Sequence, residues 1–137
     1  MRVLVCGSRT WSDTGAIAQV LDHLKIHLII QGGAKGADQC AKDYAEKMEL
    51  PCLQFNAEWT RYGRAAGPMR NQRMLEEGRP DLVVAAHTNL EKSKGTKDMV
   101  KRAKKFGVPV RMVTEHCPVE VEHVLRKGVP FPKNVLR

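Results

Sequence analysis

Read from the N-terminus, the apolar and polar positions of the chain change period in a regular rhythm. Val3–Cys6 is a short continuous apolar run closed by Gly7, the pattern of a strand buried on both faces. Ile17, Val20, Leu21 and Leu24 then recur at i, i+3, i+4 and i+7, the stripe of an amphipathic helix that Ser12 or Asp13 can cap. Leu28–Gln31 reads as a second strand, and Ala37, Cys40, Ala41, Tyr44, Ala45 and Met48 give a second helical stripe. Leu53–Phe55, after Pro51, reads as a third strand. A long connection from Asn56 to Gly67 follows. The next helix is predicted to start at Pro68, whose missing N–H costs nothing in a first turn, and to end near Gly78. Asp81–Ala86 predicts a fourth strand. Thr96–Phe106 predicts a fourth helix with Met99, Val100, Ala103 and Phe106 inward, and Val108–Val113 a fifth strand.

Strands that alternate with helices imply right-handed crossovers and a parallel sheet covered on both faces. The expected fold is α/β, a Rossmann-like three-layer sandwich with a mostly parallel five-stranded sheet in the order 3-2-1-4-5. Residues 1–117 are expected to form this domain. Residues 118–137, with three prolines and one glycine, are expected to form a C-terminal extension packed on it.

Composition narrows the setting. The longest apolar runs fall well short of the ~20 residues of a membrane helix, so no membrane partner is expected. The opening "MRVLVCGSR" has only four apolar residues before its glycine, too few for a signal-peptide core. Cys6, Cys40, Cys52 and Cys117 lack CxxC spacing and sit in apolar surroundings, as reduced buried thiols do, so a cytoplasmic protein is expected. The net charge of +8 is uneven. Residues 1–60 carry 6 Lys/Arg and 7 Asp/Glu, residues 61–105 carry 12 and 5, and residues 106–137 carry 5 and 3. A field of +7 in one third of the chain suits a phosphate ester or nucleic acid, and equally a solvated lysine-rich helix.

In a parallel sheet the carboxyl ends of all strands share one edge, and ligands bind there. The turns leaving strands 1 to 4 are "GSRT" (Gly7–Thr10), "GGAKGAD" (Gly32–Asp38), the loop ending in "GPMRN" (Gly67–Asn71) and "SKGT" (Ser93–Thr96). Each joins glycine to a hydroxyl or a cation and leads into a helix N-terminus, where free N–H groups and the helix dipole favour anions. None is a GxGxxG or a Walker motif. Together they predict a cleft for a phosphate- or ribose-bearing ligand, lined by Gly7, Ser8, Arg9, Gly32, Gly33, Lys35, Gly36, Asp38, Arg70, Asn71, Ser93, Gly95 and Thr96.

The motifs "VLVCGSRTW", "QGGAKGAD", "GPMRNQRM" and "SKGT", over roughly residues 2 to 113, resemble those of the SLOG superfamily and most closely its small YspA-like branch. The resemblance implies a Rossmannoid fold that binds nucleotides or nucleotide-derived molecules, often as a sensor in ADP-ribose or NAD signalling. DprA proteins, which load single-stranded DNA, are similar in the GSR, the glycine turn after strand 2 and an Arg-Asn pair. LOG-type phosphoribohydrolases, which split a nucleoside monophosphate into base and ribose phosphate, are similar at Arg70. Asn71 stands where they have lysine, Met99 where they have glutamate, and Glu91–Lys94 in place of their PGG. Asp98, one residue before Met99, points about 100° away from it on an ideal helix.

Taken singly, Arg9 can address a phosphate with its planar fork or pair with Asp13, and Lys35 is a more mobile alternative. Asp38 can accept from a ribose hydroxyl or stabilise the start of its helix. Arg70 and Arg73, at i and i+3, are expected to address one cleft, while Asn71 is expected to hold the neighbouring turn. Ser93 and Thr96 flank Gly95 as a phosphate clamp. Trp59 and Tyr62, beside Arg61 and Arg64, can stack a base or anchor their loop. Lys97, Lys101, Lys104 and Lys105 form a basic stripe open to a nucleic-acid backbone or to solvent. His23 and His27 lack a third ligand nearby, so no metal is expected, and no cofactor is implied. No nucleophile–base pair can be assigned; Asp38, Arg70 and Asp98 are the catalytic candidates. Three readings follow: a nucleotide-ligand sensor or sequestering protein, an N-glycosidic-bond hydrolase, and a single-stranded DNA binder. A homodimer fits the Pro-rich tail and the Rossmann-type helices.

Overall fold

The computed structural model describes residues 1–87 and 93–114. Strands β1 (Arg2–Gly7), β2 (Leu28–Gln31), β3 (Cys52–Gln54), β4 (Leu82–Ala86) and β5 (Val110–Val113) form one sheet in the order β3-β2-β1-β4-β5, every pair parallel. The fold is thus the α/β, Rossmann-like arrangement that the alternating pattern predicts. Register runs Leu4 beside Ile30 on one side and beside Val83 on the other, and Gly7 closes against Ala86.

The strand pattern explains how two cores form. Successive side chains of a strand point to opposite faces. Val3 and Val5 join Ile29, Leu82 and Val84 beneath α1 (Thr14–Leu21) and α2 (Ala37–Lys47), whose Ile17, Val20, Leu21, Ala37 and Ala41 fill that side. Leu4 and Cys6 join Ile30, Val83 and Ala85 on the other face, beneath Met74 and Leu75 of α4 (Ala66–Gly78) and Met99, Val100 and Ala103 of α5 (Lys94–Lys105). A central strand apolar on both faces has no polar alternation to show, which is why β1 and β4 read as continuous runs.

Boundaries shift for local reasons. Asp13 caps α1, its Oδ1 accepting from the Ala16 N–H at 2.9 Å, and the helix stops at Leu21, though Leu24 still packs on the core. The helix predicted from Pro68 starts two residues earlier at Ala66. A one-turn helix, α3 (Trp59–Tyr62), and a 3-10 turn over Gly63–Ala65 precede it, so the long connection is largely helical. β3 is an edge strand whose three residues are all exposed. Cys52 is therefore exposed, against the expectation of buried thiols that Cys6 and Cys40 meet. Residues 115–137, with Cys117 and the expected C-terminal extension, lie outside the described residues. Among those described, no helix is long and apolar enough to cross a membrane.

Candidate functional site

The carboxyl ends of β1 and β4 lie side by side, while the chain leaves β1 toward one face of the sheet and β4 toward the other. Such a reversal opens a crevice at the sheet edge. Here it is a cleft of about 750 Å³. Its walls are Gly7–Thr10 after β1, Ala34 and Asp38 after β2, Trp59, the start of α4, His87 after β4 and the start of α5.

Most glycines of these turns are spent on other turns rather than on open space. The Ser8 carbonyl accepts from the N–H groups of Trp11 (3.2 Å) and Ala37 (3.0 Å), which binds the first turn to the start of α2. Gly36, at φ +77°, lies against the backbone of Ser8 and Arg9, where a Cβ has no room. A Cβ on Gly7 would strike the Ala86 carbonyl, and one on Gly32 would meet the Arg70 guanidinium at 2.5 Å. Gly33 packs on the side chains of Gln54 and Asn56. Gly32, Gly33, Gly36 and the exposed Lys35 therefore lie outside the cleft lining, because the close approach that calls for glycine is between protein segments. Gly95 differs. It lines the cleft, and among the described residues a Cβ built there meets no atom beyond its own helix and chain neighbours within 4 Å.

Arg70 and Asp38 form the floor. Arg70 donates through Nη1 to the Gly32 carbonyl and through Nε to Asn71 Oδ1 at 3.1 Å. Asp38, only 7% exposed, accepts through Oδ2 from the Ala34 N–H at 3.1 Å. Burial pushes its carboxyl above the usual range, against the pull of the Ala34 N–H, Arg70, the Gly32 N–H and Arg9. Burial also lowers the Arg70 guanidinium, with Asp38 opposing. Cys6, beneath them, is pushed far up by burial and stays a thiol. Burial lowers His87, which is neutral at pH 7.

Asn71 does what its place before the fourth turn suggests. Buried, it donates to the Gly95 carbonyl (3.2 Å) and to Asp98 Oδ2 (3.0 Å), joining α4 to the start of α5. Asp98 also accepts from Arg102 Nε at 2.8 Å and lines the cleft. Ser93 caps α5, its Oγ accepting from the Thr96 N–H at 3.3 Å and donating to Thr96 Oγ1 at 2.9 Å. The Thr96 hydroxyl keeps its proton for another acceptor. The first N–H groups of α5 have no partner within the helix.

The cations divide. Arg9, Arg64, Arg70 and Lys94 line the cleft against Asp38 and Asp98. Arg9 does not pair with Asp13, which is occupied as a cap; its guanidinium lies 5.7 Å from the Trp59 ring centroid. Arg73 does not share the cleft with Arg70: it turns to Glu77 at 3.0 Å and lies over the Phe55 ring. Tyr62 pairs with Arg61 outside the cleft, so of the two loop aromatics only Trp59 lines it. Lys97, Lys101, Lys104 and Lys105 are exposed on α5, and none lines the cleft. His27 meets the N-terminal amino group at 2.8 Å. Sequence reading missed Thr10, His87 and Lys94. His87 had a signal, since it directly follows an apolar strand at its carboxyl end.

Comparison with known proteins agrees with this architecture. The family model described as the YspA, cpYpsA-related SLOG family matches residues 1–62. The chain is also 32% identical over 120 residues to the Gene 61 protein of Mycobacterium phage D29, an alignment covering 80% of this chain and 93% of that protein. The chain belongs to the YspA-related SLOG family. No solved structure gives a significant match. The family match takes in the first two turns and Trp59, so the Ser8–Ala37 junction and the aromatic wall fall inside it. Membership in SLOG points to a nucleotide-related function.

Proposed function

We propose that the cleft binds a nucleotide-derived ligand of the ADP-ribose or NAD type and that the protein is a sensor or sequestering protein for it. The start of α5 carries this reading. There a glycine with no described neighbour outside its own helix to meet a Cβ, a Ser–Thr hydroxyl pair, Lys94 and the first N–H groups of the helix converge on one wall, a setting suited to phosphate. The volume lies within the range of small-ligand sites. Among the described residues, four cations against two carboxylates give the lining a positive balance. Arg70 serves the site mainly by holding the Gly32 turn against α4.

The test is thermal stability against AMP, ADP-ribose, NAD, ribose 5-phosphate and a short single-stranded DNA. A ligand at 100 times its Kd stabilises by ~2.7 kcal/mol, several degrees at this size. A shift with a nucleotide supports the reading. A shift with DNA alone, steeply salt-dependent, replaces it with single-strand binding.

A second reading, hydrolysis of the N-glycosidic bond of a nucleotide, is favoured by Asp38. Its buried carboxyl holds a proton more readily than an ordinary aspartate, as a general acid for a leaving base must. Free base released from nucleoside monophosphates or NAD, and lost in Asp38→Asn, would establish it; a blank would discard it.

A further inference from the structure

The cleft has one wall that its phosphate chemistry leaves unused. Trp59 opens the one-turn helix α3 and is 48% exposed, level with Met48 as the most exposed large hydrophobic side chains among the described residues. It is nevertheless held in place. Its ring edge rests on Gly67, where a Cβ would meet Cη2 at 3.2 Å, so the absence of a side chain there seats the indole at the start of α4. Arg9, from the turn after β1, covers the ring at 5.7 Å from the centroid. The other tryptophan, Trp11, is 5% exposed and belongs to the core beneath α1 and α2. An indole that anchored its loop in the usual way would be buried as Trp11 is.

The spacing of the pair is informative. A guanidinium stacked directly on an indole would lie at about 3.5–4 Å, and a planar ring inserted between them needs about 7–8 Å, twice that contact. The observed 5.7 Å to the centroid is a cation–π contact with nothing between the two groups, and it is about 1.3–2.3 Å short of the spacing an inserted ring needs. Arg9 is a long, exposed side chain on a turn and can move by that amount. Bases stack on aromatic rings and on arginine planes alike.

We propose that Trp59 and Arg9 are the two jaws of a base clamp, so that the cleft selects ligands carrying a heteroaromatic base over sugar phosphates without one. Gly67 is the seat that holds the fixed jaw. This rests on the proposed nucleotide binding and adds to it where the base lies and which residues discriminate for it. Arg9 then serves the base, and the phosphates fall to the start of α5.

The experiment is calorimetric binding of ADP-ribose together with tryptophan fluorescence. Trp59 is exposed and outside both cores, so its variants fold. Stacking of one base corresponds to about a 5- to 150-fold change in affinity. ADP-ribose should quench the emission of Trp59, a quench absent in Trp59→Phe, while ribose 5-phosphate leaves that emission unchanged. Trp59→Ala should weaken ADP-ribose by that factor, Trp59→Phe should restore most of it, and Arg9→Ala should weaken it less than Trp59→Ala does. ADP-ribose bound equally by wild type and Trp59→Ala, without quenching, would overturn the clamp and leave the nucleotide site standing. Quenching by ribose 5-phosphate would also overturn it. No calorimetric binding of ADP-ribose to the wild-type protein would overturn both.

Discussion

Replacing Gly95 by alanine separates stability from binding. Gly95 is the second residue of α5, behind the Ser93 cap, and among the described residues a Cβ there meets no atom beyond its own helix and chain neighbours within 4 Å. No described residue outside the helix resists the methyl group, and alanine lowers the conformational entropy of the unfolded chain. In a helix interior that exchange stabilises by about 0.5–1 kcal/mol. Unfolding entropy of about 2.1 cal/mol/K per residue over 137 residues is ~0.29 kcal/mol/K, so the melting temperature should rise by about 2–3 °C. The same methyl stands where a phosphate would approach the first N–H groups of α5. Losing one charge-assisted hydrogen bond costs about 1.5–3 kcal/mol, a 10- to 150-fold weaker ligand. Scanning calorimetry of the free protein and titration calorimetry with ADP-ribose read the two effects apart. A higher melting temperature with unchanged affinity would refute the placement of phosphate at α5. A lower melting temperature would refute the geometry of the helix start itself.

Four further outcomes follow from the same structure. Gly36→Ala is the opposite case, since its φ of +77° and the backbone of Ser8 and Arg9 reject a Cβ; it should cost roughly 3 kcal/mol, read as a melting temperature ~10 °C lower. Asn71→Ala should cost about 1–3 kcal/mol in denaturant unfolding and weaken the ligand as well, because it frees α5 from α4 and leaves buried groups without partners. Affinity for ADP-ribose, whose diphosphate does not titrate near neutrality, should rise as pH falls from 8 to 5.5. An anion favours protonated His87, lowered by burial, and protonated Asp38, raised by burial, so binding takes up protons; titrations in which His87→Gln leaves this slope unchanged would contradict it. Without ligand, the lowered His87 value means that stability is fully present above pH 6.5 and declines as pH falls below it, where the unfolded chain takes the proton first. The raised Asp38 value acts oppositely, relieving a cost as pH falls toward 3.8.

How much of this was legible depended on whether a residue's partners were near in sequence pattern or only in space. The strand order followed from alternation, since buried parallel strands and striped helices allow few arrangements. The role of Asn71 was legible because a buried amide beside a turn has few other uses. Arg73 was misplaced because helical spacing says which residues share a face but not what else lies there. Phe55, just past an edge strand, and Glu77, one turn onward, draw it away. The glycines suggest room for a ligand because a sequence does not reveal which backbone approaches which. Only the pairing of Gly36 with Ser8, and of Gly32 with Arg70, separates them from Gly95. Trp59 was legible as an aromatic beside cations, but the cation over it is Arg9, fifty residues earlier, rather than its neighbours Arg61 and Arg64.

The doubly used carbonyl of Ser8 has a consequence for local opening. The first amide of a helix ordinarily exchanges its hydrogen with solvent freely, for want of an acceptor one turn back. The Ala37 amide has such an acceptor in another segment, shared with the Trp11 amide, and the Ser8 amide is itself bonded to Ala86. The three protons can leave only when the same junction parts, so they should exchange at one common rate, as a single opening unit. A ligand resting on the first turn would slow all three together, including the amide of Trp11, whose side chain faces the far core.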